Sequence, residues 1–237
     1  MTVMVSNAQL DRLGRAIRDD TMTGADRALL VEMRTVWRDE RQWLEHLVRG
    51  ACTNPTVKVS GRVKNIGTLR EKLRRMNGGL STIRDVVGVR AVVDGTREDH
   101  IFTLYEVTMA VAEFSPKLID RMSDPRSGYR ALHLEIRHAG VRSEIQVRSK
   151  LQHEWAETME RFADKAGRDV RYVENYDFPH LTGPTRELAV SCLAALKEWS
   201  TVIDAYEYRR NLGFPRLIHE EAEARCKSLL EEFNASL

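Results

Sequence analysis

The chain has 237 residues, 42% hydrophobic and 30% charged, with a formal net charge of +2. Such a length buries one good-sized core, or one core with helical additions. The near-neutral balance makes no whole-molecule case for nucleic acid, and no apolar run approaches the roughly 20 residues of a membrane span. The opening MTVMVSNAQL lacks the basic-then-apolar layout of a secretory signal. Cys52, Cys192 and Cys226 stand isolated, as reduced thiols of a cytoplasmic protein do. Neither the cysteines nor the seven scattered histidines fall in a metal-ligand spacing.

In chain order, residues 8–50 read as two helices broken at Thr23-Gly24, where Thr23 or Asp26 supplies a cap. Leu10, Leu13 and Ile17 begin an apolar stripe that Met33, Trp37, Leu44, Leu47 and Val48 continue, and Trp37 and Trp43 are expected in the core. After Asn54-Pro55, Val57-Lys58-Val59 predicts a short first strand. Ser60 to about Met76 predicts a helix stopped by Asn77-Gly78-Gly79, with Ile66, Leu69, Leu73 and Met76 buried. Lys64, Thr68, Lys72 and Arg75 recur at steps of four, four and three on another face. With Arg62 just ahead, they suit either a polyphosphate cradle or an ordinary solvated basic face.

Asp85 precedes VVGVRAVV, the most strand-like run in the chain. Arg90 shares a face with Gly88 there, against Val87, Val89, Ala91 and Val93 on the other. An arginine inside such a run needs a partner or a cleft, because a buried lone charge is costly. A helix at 96–112 is expected to turn Ile101, Leu104, Tyr105 and Val111 inward, and a third strand is expected at 113–119. The polar loop 120–128 carries Arg121 and Arg126 and leads into Tyr129.

Residues 130–148 read as a β-hairpin turning at Ala139-Gly140. Leu132, Leu134 and Ile136 alternate with His133, Glu135 and Arg137, and Ile145 and Val147 alternate with Glu144, Gln146 and Arg148. The polar face thus sets a carboxylate, an amide and a guanidinium in a row beside a histidine. A helix from Lys150 to about Lys165 follows, with Leu151, Trp155, Met159 and Phe162 along one stripe. A linker at 177–184 precedes helices at 185–211 and 216–234, the first burying Leu188, Cys192, Leu196, Trp199, Ile203 and Tyr206. The order predicts an α/β (α+β) fold, a mixed sheet of five strands flanked by N- and C-terminal helices. The expected divisions are 1–55, 56–170 and 171–237.

RVKNIGTLREK, RDVVGVR, PRSGYRALH, SEIQVR and LQHEWAETMER, in that order between Val57 and Lys165, resemble the synthetase domain of the RelA/SpoT superfamily of ATP pyrophosphokinases. The resemblance implies a nucleotidyltransferase-like sheet and transfer of the β,γ-pyrophosphate of ATP, with Mg²⁺, onto a ribose 3′-hydroxyl. By the same resemblance Arg62 and Arg90 would sandwich the adenine. Lys64, Thr68 and Lys72, with Arg75, would hold the donor phosphates. Asp85 would bind the metal, and Glu144 would assist it or take the hydroxyl proton. Tyr129 would stack the acceptor base, with Arg126, Arg130, His133, Gln146 and Arg148 around it.

The chain departs from the family pattern on the acceptor side. Asp120 is followed by Arg121 where (p)ppGpp-making members carry Asp-Tyr, PRSGYR is one residue shorter than PKxNGYR, and Glu160-Arg161 stands where a Glu-His pair is usual. The chain shows neither a His-Asp hydrolase domain nor a long regulatory C-terminal region. It looks more like the small toxic members that modify the 3′-terminal adenosine of tRNA and pair with an antitoxin. A small alarmone synthetase acting on GDP or GTP and a noncatalytic nucleotide-binding module are the competing readings; Asp85 and Glu144 argue against the last.

Overall fold

The computed structural model describes residues 5–76, 78–173, 176–209 and 215–237. The helices are α1 (Asn7–Asp19), α2 (Gly24–Ala51), α3 (Ile66–Arg75), α4 (Arg97–Ala110), α5 (Lys150–Ala166), α6 (Gly183–Arg209) and α7 (Arg216–Ser236). The strands are β1 (Lys58–Val63), β2 (Val87–Val93), β3 (Lys117–Asp120), β4 (Leu132–His138) and β5 (Val141–Ser149). They form one mixed sheet in the order β1-β2-β5-β4-β3, the α/β class expected. The expected helix stop at Asn77 and the last two residues of the helix expected at 185–211 lie outside the described residues.

The chain folds as two compact units. The first comprises Met1–Ala91, Phe102–Ile119 and His133–Val147. Thr23 caps α2 reciprocally: its hydroxyl accepts from the Asp26 amide while the Asp26 carboxylate accepts from the Thr23 amide at 3.0 Å. Trp37 is buried with Leu13, Ile17, Leu69, Leu73 and Val87, while Trp43 stacks on the His138 ring at 3.7 Å. Val89, Ala91, Leu134, Ile136 and Ile145 bury against Leu44, Val48, Val107 and Val111. Side chains alternate along a strand, so Gly88, Arg90, His133, Glu135, Glu144 and Gln146 project to the opposite face. That alternation places the polar residues of three neighbouring strands together.

Three local expectations are corrected. The segment from Ser60 does not open a helix: β1 runs on through Arg62 to Val63, and α3 begins only at Ile66. The Asn65 side chain accepts from the Thr68 amide at 2.8 Å, and the Lys64 amide donates to the Val86 carbonyl at 2.8 Å. Those bonds fix the cap at Asn65, so Lys64 stands before the helix rather than on it. In α4 the buried residues are His100, Thr103, Val107 and, past its end, Val111, with Leu104 partly buried, whereas Ile101 and Tyr105 are 48% and 59% exposed. The sequence is apolar around much of that helix, and its buried face is settled by packing rather than by local pattern. The third strand starts at Lys117, because 112–114 form a 3-10 turn closed by Ser115 at φ 49°.

The second unit comprises Val92–Ile101, Asp120–Leu132 and Arg148–Leu237. Trp155, Phe162, Phe178, Trp199 and Phe233 form its core with the apolar faces of α5, α6 and α7. The Trp155 indole donates to the Leu196 carbonyl at 2.6 Å, which satisfies its one polar atom. Ser149 caps α5 reciprocally with Gln152.

Candidate active site

In the first unit, Asp85 stands just ahead of β2 with its carboxylate between two ammonium groups. Lys64 lies 2.8 Å from one oxygen and Lys72 2.6 Å from the other. Lys64 is fixed by the β1 exit and Lys72 by the second turn of α3. Burial alone would push the Asp85 carboxyl up, but the charges and hydrogen bonds of Lys64 and Lys72 outweigh it and hold the group below the usual carboxylate range. Thr68 lies in the first turn of α3, where its hydroxyl donates to the Asn65 carbonyl at 3.1 Å. Arg75 is exposed in the last turn, Arg62 is exposed on β1, and Arg90 is half-buried on β2.

Glu144 is a second enclosed carboxylate in the same unit. His133 Nδ1 lies 2.6 Å from Oε1, and Gln146 Nε2 donates to Oε2 at 2.7 Å. An ionised carboxylate only accepts, so Nδ1 carries the imidazole proton. Burial pushes Glu144 up, the His133 and Gln146 donors pull it down, and Asp85 nearby raises it again; the net position is below the ordinary range. Gly88 passes close to the Glu144 backbone, 4.0 Å from its carbonyl oxygen to an added Cβ. Strand β2 therefore runs beside Glu144 at Gly88, with Arg90 two residues further along the same face.

Sequence reasoning missed one pair beside this group. Arg84 Nη1 reaches both oxygens of Glu135 at 2.8 Å. Ala139 and Gly140 both have positive φ, 46° and 83°, the geometry of a two-residue hairpin turn. The register that turn sets puts Glu135 across from Glu144. The available signal was that Glu135 shares its alternation with His133 and that Arg84 adjoins Asp85. A strand face of mixed charges gave no reason to separate it from solvated residues.

The remaining expected residues lie in the second unit. Arg148, 3% exposed, donates from Nη2 to the Tyr129 hydroxyl at 2.6 Å, and its guanidinium carbon sits 4.9 Å from the ring centroid. The Arg126 carbonyl accepts from the Tyr129 amide at 2.8 Å, and the Arg126 side chain is exposed. Arg130 Nη1 donates to the Met122 carbonyl at 2.6 Å and lies 3.5 Å from Asp204. Arg121 pairs with Asp124 at 2.6 Å. Thus His133 and Gln146, expected near the acceptor base, are brought to Glu144, while Tyr129, Arg130 and Arg148 hold together separately.

Asp85 and Glu144 are hard oxygen donors, the set that Mg²⁺ prefers, and each is held ionised. Their oxygens are now met by ammonium, imidazole and amide donors, groups that can turn to phosphate oxygens. The residues therefore fit a magnesium–nucleotide. No helix among the described residues is long and apolar enough to cross a membrane.

Residues 61–166 match the family described as the region found in RelA / SpoT proteins. An uncharacterized protein of Mycobacterium tuberculosis is 33% identical over 171 residues, which are 71% of this chain and 63% of that protein. The chain thus spans less than two thirds of the length of that relative. A probable chloroplastic GTP diphosphokinase of Oryza sativa is 32% identical over 105 residues, 42% of this chain and 14% of that protein. The crystal structure of small alarmone synthetase 1 from Bacillus subtilis bound to its product pppGpp is similar in fold. Its TM-score is 0.58 at 19% identity, over 78% of this chain and 95% of that one.

Proposed function

The chain belongs to the RelA/SpoT superfamily through residues 61–166, and from that premise we propose that it is an ATP pyrophosphokinase. The observation that carries this reading is the pair of enclosed carboxylates, Asp85 between Lys64 and Lys72 and Glu144 between His133 and Gln146. Phosphoryl transfer is mainly positioning and stabilisation of charge on oxygens. Lys64 and Lys72 bind the donor phosphates, Thr68 and Arg75 extend the cradle, and Arg62 and Arg90 hold the adenine. Asp85 and Glu144 would hold Mg²⁺, which when bound would neutralise charge on the phosphate oxygens.

The acceptor 3′-oxygen bonds to the β-phosphorus while the bond from that phosphorus to the α–β bridging oxygen breaks, and AMP leaves. The hydroxyl proton passes to Glu144. A carboxylate held below its ordinary range is a weak base, but in a loose transfer the proton leaves late, when the hydroxyl has become acidic. Tyr129 stacks the acceptor base, with Arg126, Arg130 and Arg148 around it.

The proposed acceptor is the 3′-terminal adenosine of tRNA, as a translation-inhibiting toxin countered by an antitoxin protein. The loop supports it: Arg121 is engaged by Asp124 and Arg130 in part by Asp204, which leaves fewer cations for a 5′-polyphosphate. The second reading is a small alarmone synthetase using GDP or GTP, supported by the similarity to the rice GTP diphosphokinase and, in fold, to the Bacillus subtilis synthetase. ATP labelled in its γ-phosphate, offered with deacylated tRNA, GDP or GTP in parallel, separates the two. Label on tRNA that is lost when the terminal adenosine is trimmed is expected. Label on GDP or GTP with none on tRNA establishes the second reading instead, and label on none of them overturns both.

A further inference from the structure

Helix α6 offers three polar side chains along one stripe, Ser200, Asp204 and Glu207, at steps of four and three. Each meets the segment around Tyr129 and Arg148 within the second unit. The Ser200 hydroxyl donates to the Gly128 carbonyl. Asp204 takes Arg130 at 3.5 Å on one oxygen and Arg97 at 3.3 Å on the other. Glu207 accepts from the Ser149 hydroxyl and from Gln152 Nε2 at 2.7 Å, at the cap that follows Arg148 directly in the chain. Between these contacts Gly128, at φ +83°, presses so close to Trp155 that an added Cβ would lie 2.9 Å from the indole.

We propose, resting on the pyrophosphokinase reading, that α6 belongs to the acceptor site, with Ser200, Asp204 and Glu207 as positioning residues that set Tyr129 and Arg148 through Gly128, Arg130 and Ser149. Three arguments support it. The three residues act on three consecutive parts of the acceptor segment: the turn before Tyr129, the residue after it, and the cap beyond Arg148. Ser200 is buried although polar, and its bond goes to the loop rather than back into its own helix. Asp204 meets Arg130, where a polyphosphate acceptor would need a cation available, so this carboxylate also biases acceptor choice.

The test pairs amide hydrogen exchange with steady-state kinetics on the full chain. Asp204→Asn and Glu207→Gln are nearly isosteric, and Glu198→Gln, on the same helix and in an exposed pair with Arg225 of α7, is the control. The expected result is faster exchange at 120–131 in both variants, unchanged exchange at 61–76, and an acceptor KM raised about tenfold, the scale of one buried hydrogen bond lost. The KM for ATP should move less than twofold, and Glu198→Gln should match wild type. Unchanged loop exchange overturns the inference on its own, as does faster exchange with an unmoved acceptor KM, or with both KM values rising in parallel. A wild-type protein that transfers to no acceptor brings down the pyrophosphokinase reading and this inference with it, a result the exchange data alone do not mimic.

Discussion

Asp85 illustrates how a residue poised for catalysis is costly to the resting fold. Its carboxylate is enclosed with two lysines, and a pair of this kind repays its desolvation only while every partner is present. Asp85→Asn should therefore abolish transfer and lower stability, because Lys64 and Lys72 are left as neighbouring like charges. The same change frees two ammonium groups for phosphate. Titration calorimetry in EDTA should show ATP affinity equal to or above wild type, and a large loss of metal-free affinity would show that Asp85 organises the cradle instead. Glu144→Gln should likewise abolish transfer, read in the labelled assay with folding checked by circular dichroism; near-wild-type turnover would remove Glu144 from the chemistry. Both carboxylates stand out in the sequence because they lie at fixed places in spaced motifs. The Arg84–Glu135 pair does not, since alternation alone cannot separate a paired strand carboxylate from a solvated one.

At the scale of elements, the hairpin was fully legible, because period-two alternation and a two-residue turn leave one register. Helix α3 was less so. The residues before it carry β-branched valines and a cap at Asn65, and a run of cations at helical spacing suggested an earlier start than the backbone allows. Asn65→Ala should cost about 1 kcal/mol, the usual price of a lost N-cap, seen as a lower urea midpoint with unchanged slope. Because Thr68 and Lys72 ride on that turn, ATP affinity should fall as well; a stability loss with ATP affinity intact would separate the helix start from the cradle. Helix α4 was misread for the opposite reason, too many apolar residues rather than too few, with Ile101, Phe102, Tyr105 and Met109 all exposed.

At the scale of the whole molecule, the carboxylates titrate in opposing directions and the balance sets the response to pH. Asp85 and Glu144 are held below their ordinary range, so the stability they contribute is present above that range and is lost as pH falls through their folded values. Glu207 runs the other way. Burial is the largest cause and Asp204 adds to it, while Ser149, Gln152 and Arg97 oppose it, leaving the carboxyl pushed up to about 7. A raised acid favours the folded state while protonated, so its contribution is complete below the unfolded value of 4.5 and is lost as pH rises from there through about 7. Glu207→Gln keeps a neutral side chain of the same size at every pH. Its melting temperature relative to wild type should therefore climb between pH 4.5 and 7 and level off above that, measured at constant ionic strength. A difference that is flat across this window, or that grows toward acid, would mean that Glu207 is ionised at the α5 cap and that Ser149 and Gln152 fully compensate its burial.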